Sequence, residues 1–162
     1  MDRIAEYLSV LPTDAARTEL TRCCGARRWV EQMLAALPFA SDAAVLAAAE
    51  REWRSLERKD WLEAFARHPR IGDRATAGWS RDEQSGMNAA AAAVRARIAE
   101  GNRLYEEKFG HLFLICATGL TADEIVRELD RRLANPPEEE LRNAAAEQAK
   151  ITRLRLEKLV SR

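Results

Sequence analysis

Apolar residues recur at helical spacing along much of the chain. Ile4, Leu8 and Leu11 form one stripe, Trp29, Met33 and Leu34 a second, and Ala43 to Leu56, with Leu46 and Trp53 on one face, a third. Positions three and four apart share a helix face, so each stripe predicts an amphipathic helix with one buried side. Start signals agree: Ser41-Asp42 precedes an alanine-rich run, and Asp60-x-x-Glu63, Ser80-x-x-Glu83 and Thr121-x-x-Glu124 match the capping box, in which side chains satisfy the orphan amide donors of a first turn. The run from Glu83 to about Lys108 lacks proline, carries Ala89 to Ala93 in its middle and predicts one long helix ending near Gly110. Asn135-Pro136-Pro137 stops the helix begun at Thr121, because a residue before proline is pushed out of helical geometry. Glu138 to Glu140 then suit the positive N-terminus of a last helix running towards Val160. The pattern predicts an all-α fold, a compact multi-helix single domain over residues 1–162 with one long central helix.

Composition narrows the function classes. Lysine and arginine number 26 against 26 acidic residues, so the positive field that non-specific nucleic-acid or anionic-membrane binding relies on is missing. No apolar run approaches the roughly 20 residues of a bilayer helix. The opening MDRIAEYLSVLPTD has acidic residues and no long apolar stretch, unlike a signal peptide, and a cytoplasmic location is expected. Cys23, Cys24 and Cys116 have neither C-x-x-C spacing nor an even count, which fits reduced packing residues.

Two stretches break the helical pattern, and sites tend to sit at such breaks: His68-Pro69-Arg70-Ile71-Gly72, and the short apolar run Phe113-Leu-Ile-Cys-Ala117. His68 follows an apparent helix, Trp61 to Arg67, and precedes a proline that fixes the next turn, so rigid backbone could aim its ring; a helix-end histidine complementing the dipole is the plainer reading. His111 reads as a solvated loop residue, since no carboxylate or second histidine stands at ligand spacing beside it. Ser80-Arg-Asp-Glu83-Gln84-Ser-Gly86 is first of all a helix cap, yet Gln84 is superfluous to a cap and offers a donor and an acceptor to an amide-rich ligand. Arg153 and Arg155, two positions apart on the last helix, point in different directions. The G-x-S-x-G, phosphate-loop, dinucleotide and H-E-x-x-H motifs are all missing, and Lys59, Lys108, Lys150 and Lys158 lie in charged helical surroundings. An enzyme with this sequence is expected to use no cofactor and no metal.

Taken in order, His68-Pro69-Arg70-Ile71-Gly72, Trp79-Ser80-x-x-Glu83-Gln84-x-Gly86, Lys108-Phe109-Gly110 leading into Phe113 to Ala117, and Lys150-Ile-Thr-x-Leu-Arg155-Leu resemble 2-oxo-4-hydroxy-4-carboxy-5-ureidoimidazoline (OHCU) decarboxylases. Cys23-Cys-Gly25-Ala-x-x-Trp29-Val and Leu37-Pro38-Phe39 fit the same pattern, although Leu37 stands where arginine is expected and Ala26 where serine is expected. The resemblance spans nearly the whole chain. It implies an all-helical, cofactor-free carboxy-lyase of urate degradation that converts OHCU to (S)-allantoin. It further implies His68 and Glu83 as the catalytic pair, and Pro69, Ser80, Gln84, backbone groups around Ile115, and Arg155 (Arg153 as the fallback) as substrate contacts. A small-molecule substrate, no nucleic acid, no membrane and a homodimer are the partners it suggests.

Two other classes compete. A helical interaction module would use the HPRIG and SRDEQSG turns only as punctuation, and would leave the stereochemistry of OHCU decay unchanged. A nucleic-acid binder using Arg127, Arg131, Arg132 and the basic end from Arg153 to Arg162 is weaker, because Glu124, Glu128 and Glu157 intersperse those arginines as ordinary ion-paired faces.

Overall fold

A computed structural model describes residues 2–70 and 89–161. Those residues are helical or irregular, with no strand among them. The helices are α1 (Arg3–Val10), α2 (Thr13–Cys23), α3 (Arg27–Ala35), α4 (Asp42–Arg54), α5 (Arg58–Phe65), α6 (Ala89–Phe109), α7 (Ala122–Leu133) and α8 (Pro137–Lys158). The all-α expectation holds. None of the described helices is long and apolar enough to cross a membrane.

The chain packs as two compact units, Met1–Arg67 with Gln148–Arg162, and His68–Glu147. In the first, Leu8, Leu20, Trp29, Met33, Phe65 and Leu156 are fully buried. Trp29 brings a polar edge into that core, and its indole N–H donates to the Ala49 carbonyl at 3.0 Å, which removes the penalty of burying the donor. Ser41 caps α4 as its sequence suggests, accepting from the Ala44 amide at 3.0 Å. Asp42 turns away to accept from the Ala5 amide in α1 at 2.9 Å, tying the starts of two helices together. One start signal is misplaced in the sequence reading. Helix α5 begins at Arg58, so Asp60 is an interior first-turn residue whose carboxylate accepts from the Glu57 amide at 3.2 Å. Glu63 serves another helix, accepting from the Arg27 amide at 3.0 Å and so satisfying an orphan donor where α3 lacks a side-chain cap.

In the second unit, Ile98, Tyr105, Phe109, Phe113, Ile115, Ile125 and Leu129 form one apolar cluster. Helix α6 ends where expected: Gly110 takes a left-handed φ of 78°, and its amide reaches the Glu106 carbonyl at 2.9 Å. The expected start of that helix, at Glu83, lies outside the described residues. The Thr121–Glu124 capping box forms, with the threonine hydroxyl accepting from the Glu124 amide at 3.1 Å. Helix α7 stops before Asn135-Pro136-Pro137, and α8 begins at Pro137, the first-turn position proline tolerates.

Helices α6 and α7 meet closely at Gly101, where a Cβ would stand 2.3 Å from a methyl of the fully buried Leu129. Alanine in a helix interior gains about 1 kcal/mol over glycine, but overpacking a filled core costs about 1–3 kcal/mol, and Leu129 has no solvent to retreat into. Gly101→Ala is therefore expected to lower the thermal unfolding midpoint followed by circular dichroism. A raised midpoint would show that Leu129 repacks freely.

Candidate active site

After α5 the chain turns on the Ala66 amide, bonded to Leu62 O at 3.0 Å, and the Arg67 amide, bonded to Ala64 O at 3.2 Å. His68 follows at a bend and is half-buried, while Pro69 and Arg70 are exposed. Arg70 anchors this turn within the His68–Glu147 unit through a two-pronged contact with Glu106 of α6, Nε to Oε2 at 2.8 Å and Nη2 to Oε1 at 3.0 Å. The fork geometry fixes direction as well as distance. Nothing in the sequence pattern singled out Glu106.

Ile115 is buried in an irregular stretch, residues 112–117, between α6 and α7 in the chain. The stretch is shaped by a buried polar cluster. Arg132 of α7 and Glu140 of α8 are 1 % and 0 % exposed, with Arg132 Nη2 2.6 Å and Nε 2.8 Å from Glu140 Oε2. The same guanidinium donates from Nη1 to the Leu114 carbonyl at 2.6 Å and lies over the Phe113 ring at 4.7 Å. Tyr105 donates its hydroxyl to Glu140, and Asn135 and Asn143 each donate to Glu140 Oε1 at 3.1 Å. Burial alone would raise the Glu140 carboxyl, but hydrogen bonds from Arg132 and Tyr105 outweigh it and hold the group below the usual carboxylate range. Burial also pushes the Tyr105 phenol far above its ordinary value, with the bond to Glu140 adding to the shift. His111 corrects the sequence reading: far from solvated, it is buried, edge-on to Tyr105 with ring centroids 5.5 Å apart, because Gly110 turns it back onto the aromatic end of α6.

Arg155 belongs to the other packing unit. It is exposed along α8, and its Nη1 donates to the Arg22 carbonyl at 3.0 Å, satisfying one of the last-turn acceptors of α2. Arg153 is exposed 3.9 Å from Glu157 and borders a pocket of about 230 Å³ with Leu46, Trp53 and Lys150. Cys23 and Cys24 are buried beside this end of α2, and burial pushes their thiols up to about 12 and about 11, the inert packing role expected of them. Among the described residues no group of three or more His, Cys, Asp or Glu could hold a metal ion.

The expected site residues thus divide. His68, Pro69 and Ile115 share one packing unit, and Arg155 stands in the other. Ser80, Glu83 and Gln84 lie outside the described residues.

Comparison with known proteins crosses these divisions. The family model for OHCU decarboxylase matches residues 9–157. The Arabidopsis thaliana protein called uric acid degradation bifunctional protein TTL is 40% identical over 147 residues, which cover 86% of this chain and 45% of that protein. The 2-oxo-4-hydroxy-4-carboxy-5-ureidoimidazoline decarboxylase of Amia calva is 39% identical over 83 residues, 50% of this chain and 47% of its own. The chain spans about half the length of the curated relatives it matches. A crystal structure of OHCU decarboxylase in the presence of (S)-allantoin superposes with a TM-score of 0.77 at 38% identity, covering 89% of this chain and 98% of that one.

The buried cluster makes a stability prediction. Glu140→Gln leaves the Arg132 charge uncompensated, so it should cost about 3–5 kcal/mol, whereas Glu128→Gln, which breaks the exposed pair with Arg131, should cost about 1 kcal/mol or less. Because the folded carboxyl titrates below its unfolded value, its contribution is complete above about pH 4.3 and is lost as pH falls through the folded value. Denaturant melts between pH 5 and pH 2 should therefore show a shallower acid slope for Glu140→Gln than for the wild type. Equal slopes would place the acid sensitivity elsewhere.

Proposed function

The chain belongs to the OHCU decarboxylase family, and from that premise we propose that it decarboxylates OHCU to (S)-allantoin in urate degradation, without cofactor or metal. The match running across residues 9–157, through both packing units, is the observation that carries the reading and supports a single family domain.

The substrate's own chemistry makes this economical. Its carboxylate and hydroxyl sit on a carbon next to a ring C=N bond, so the electron pair released as carbon dioxide leaves can enter that bond. That pair comes to rest on the former imine nitrogen, which takes up a proton, and the enol-type intermediate then takes a second proton on one face of the former imine carbon while the hydroxyl loses one, so that one net proton replaces the carbon dioxide lost. The protein has to orient the carboxylate and manage those proton transfers.

His68 is the group we assign to proton exchange, at a turn held by Pro69 on one side and the Arg70–Glu106 fork beyond it. Glu83 orients the imidazole and supports its charge. Arg155 holds a carboxylate or ureido oxygen through its planar donors, switching from its present bond to the Arg22 carbonyl or using the donors that bond leaves over. Ser80 and Gln84 read ureido and ring amide groups, Pro69 shapes the pocket wall, and backbone groups around Ile115 complete the contacts. A homodimer in the cytoplasm is the assembly and compartment that go with this reading.

Freshly generated OHCU decays spontaneously to racemic allantoin, and the purified protein is expected to accelerate that decay and bias it to the S product, followed by chiroptical spectroscopy. Unchanged decay with a racemic product would favour the interaction-module reading. His68→Asn should remove most of the acceleration, about a hundredfold or more. Arg155→Ala should chiefly raise KM; if it is silent and Arg153→Ala is not, the substrate arginine lies two positions earlier.

A further inference from the structure

Residues 112–117 have neither helical nor strand hydrogen bonding, so side chains must hold the stretch in place. Two do so on either side of Ile115. The Leu114 carbonyl accepts from Arg132 Nη1 at 2.6 Å, and the Cys116 amide donates to Glu147 Oε1 at 2.9 Å. One holder is a cation on α7 and the other an anion on α8, and each bond is charge-assisted, hence short and directional. Among the described residues, no hydrogen bond engages the N–H or C=O of Ile115 itself. The peptide groups between the two holders are therefore fixed in position and still able to bond.

We propose that Glu147 is a positioning residue, which clamps the Cys116 amide so that the Ile115 backbone is presented to the substrate in a set orientation. The inference rests on the functional reading above and assigns it a residue outside the expected site. Arg132 braces the opposite side but also carries the buried ion pair, so its removal would disrupt the fold as well. Glu147 is half-buried and lies outside that pair, so its replacement leaves the pair's own bonds in place. Preorganised peptide groups need no reordering when substrate arrives, so a loosened clamp appears as weaker capture and slower turnover rather than as an unfolded chain.

The test compares wild type, Glu147→Gln, Glu147→Ala and the exposed control Glu139→Gln in the OHCU decay assay, with thermal midpoints and hydrogen exchange at the Cys116 amide. Glu147→Ala is expected to lower kcat/KM roughly tenfold, the scale of one charge-assisted hydrogen bond, and to speed exchange at Cys116. Glu147→Gln keeps an acceptor oxygen and should recover activity to within about threefold of wild type. The control should match wild type. An active wild type together with a Glu147→Ala variant of unchanged kcat/KM, or with losses in both Glu147 variants that track only the folded fraction, overturns the clamp and leaves the decarboxylase reading standing. A wild type that does not accelerate OHCU decay overturns the decarboxylase reading, and the clamp's role in catalysis with it.

Discussion

The contact between Arg132 and Glu140 sets the terms for its half of the molecule. Two full charges sit at the centre of a packing unit with almost no access to water, where desolvation on its own would be costly. They are tolerated because nearly every donor and lone pair finds a use: Tyr105, Asn135 and Asn143 donate to the carboxylate, while the guanidinium serves Glu140, the Leu114 carbonyl and the face of Phe113. Three helices and the irregular stretch between α6 and α7 meet at this one cluster. Its geometry consequently decides where the Ile115 backbone can stand.

Charge elsewhere does different work. Arg17 with Glu31, Arg27 with Glu63 and Arg103 with Glu100 and Glu107 are exposed pairs that contribute little to stability but leave the surface without a dominant sign. The Arg70–Glu106 pair shares the exposure but differs in position, since it lies two residues beyond His68 and its fork fixes the turn's direction.

Much of the fold was legible because helix periodicity and capping chemistry are local. The stop at Gly110, the Thr121–Glu124 box and the Pro136-Pro137 break are decided by residues within one turn of each other. Errors arose where a side chain serves a distant partner. Glu63 looked like the end of a cap for its own helix and instead satisfies the start of α3. Arg132 looked like one more member of an ion-paired face with Arg127 and Arg131, and is buried against a carboxylate eight residues on. His111, in a glycine-marked turn, read as solvated, although Gly110 folds it onto Tyr105. For the site, His68, Pro69, Ile115 and Arg155 were implied by the resemblance to the family's motifs rather than by any local rule. Glu106 and Glu147 carry no such signal, because an acidic residue on a helix looks the same in sequence whether it meets water or holds a peptide group.

The proposed function requires the His68 turn and the Ile115 backbone, which share one packing unit, to serve one ligand. A crystal structure of this protein soaked with (S)-allantoin tests that most directly. The expected result is the ligand within hydrogen-bond distance of the His68 imidazole and an Ile115 peptide group. Allantoin bound elsewhere, with both groups facing solvent or the protein's own backbone, would contradict it.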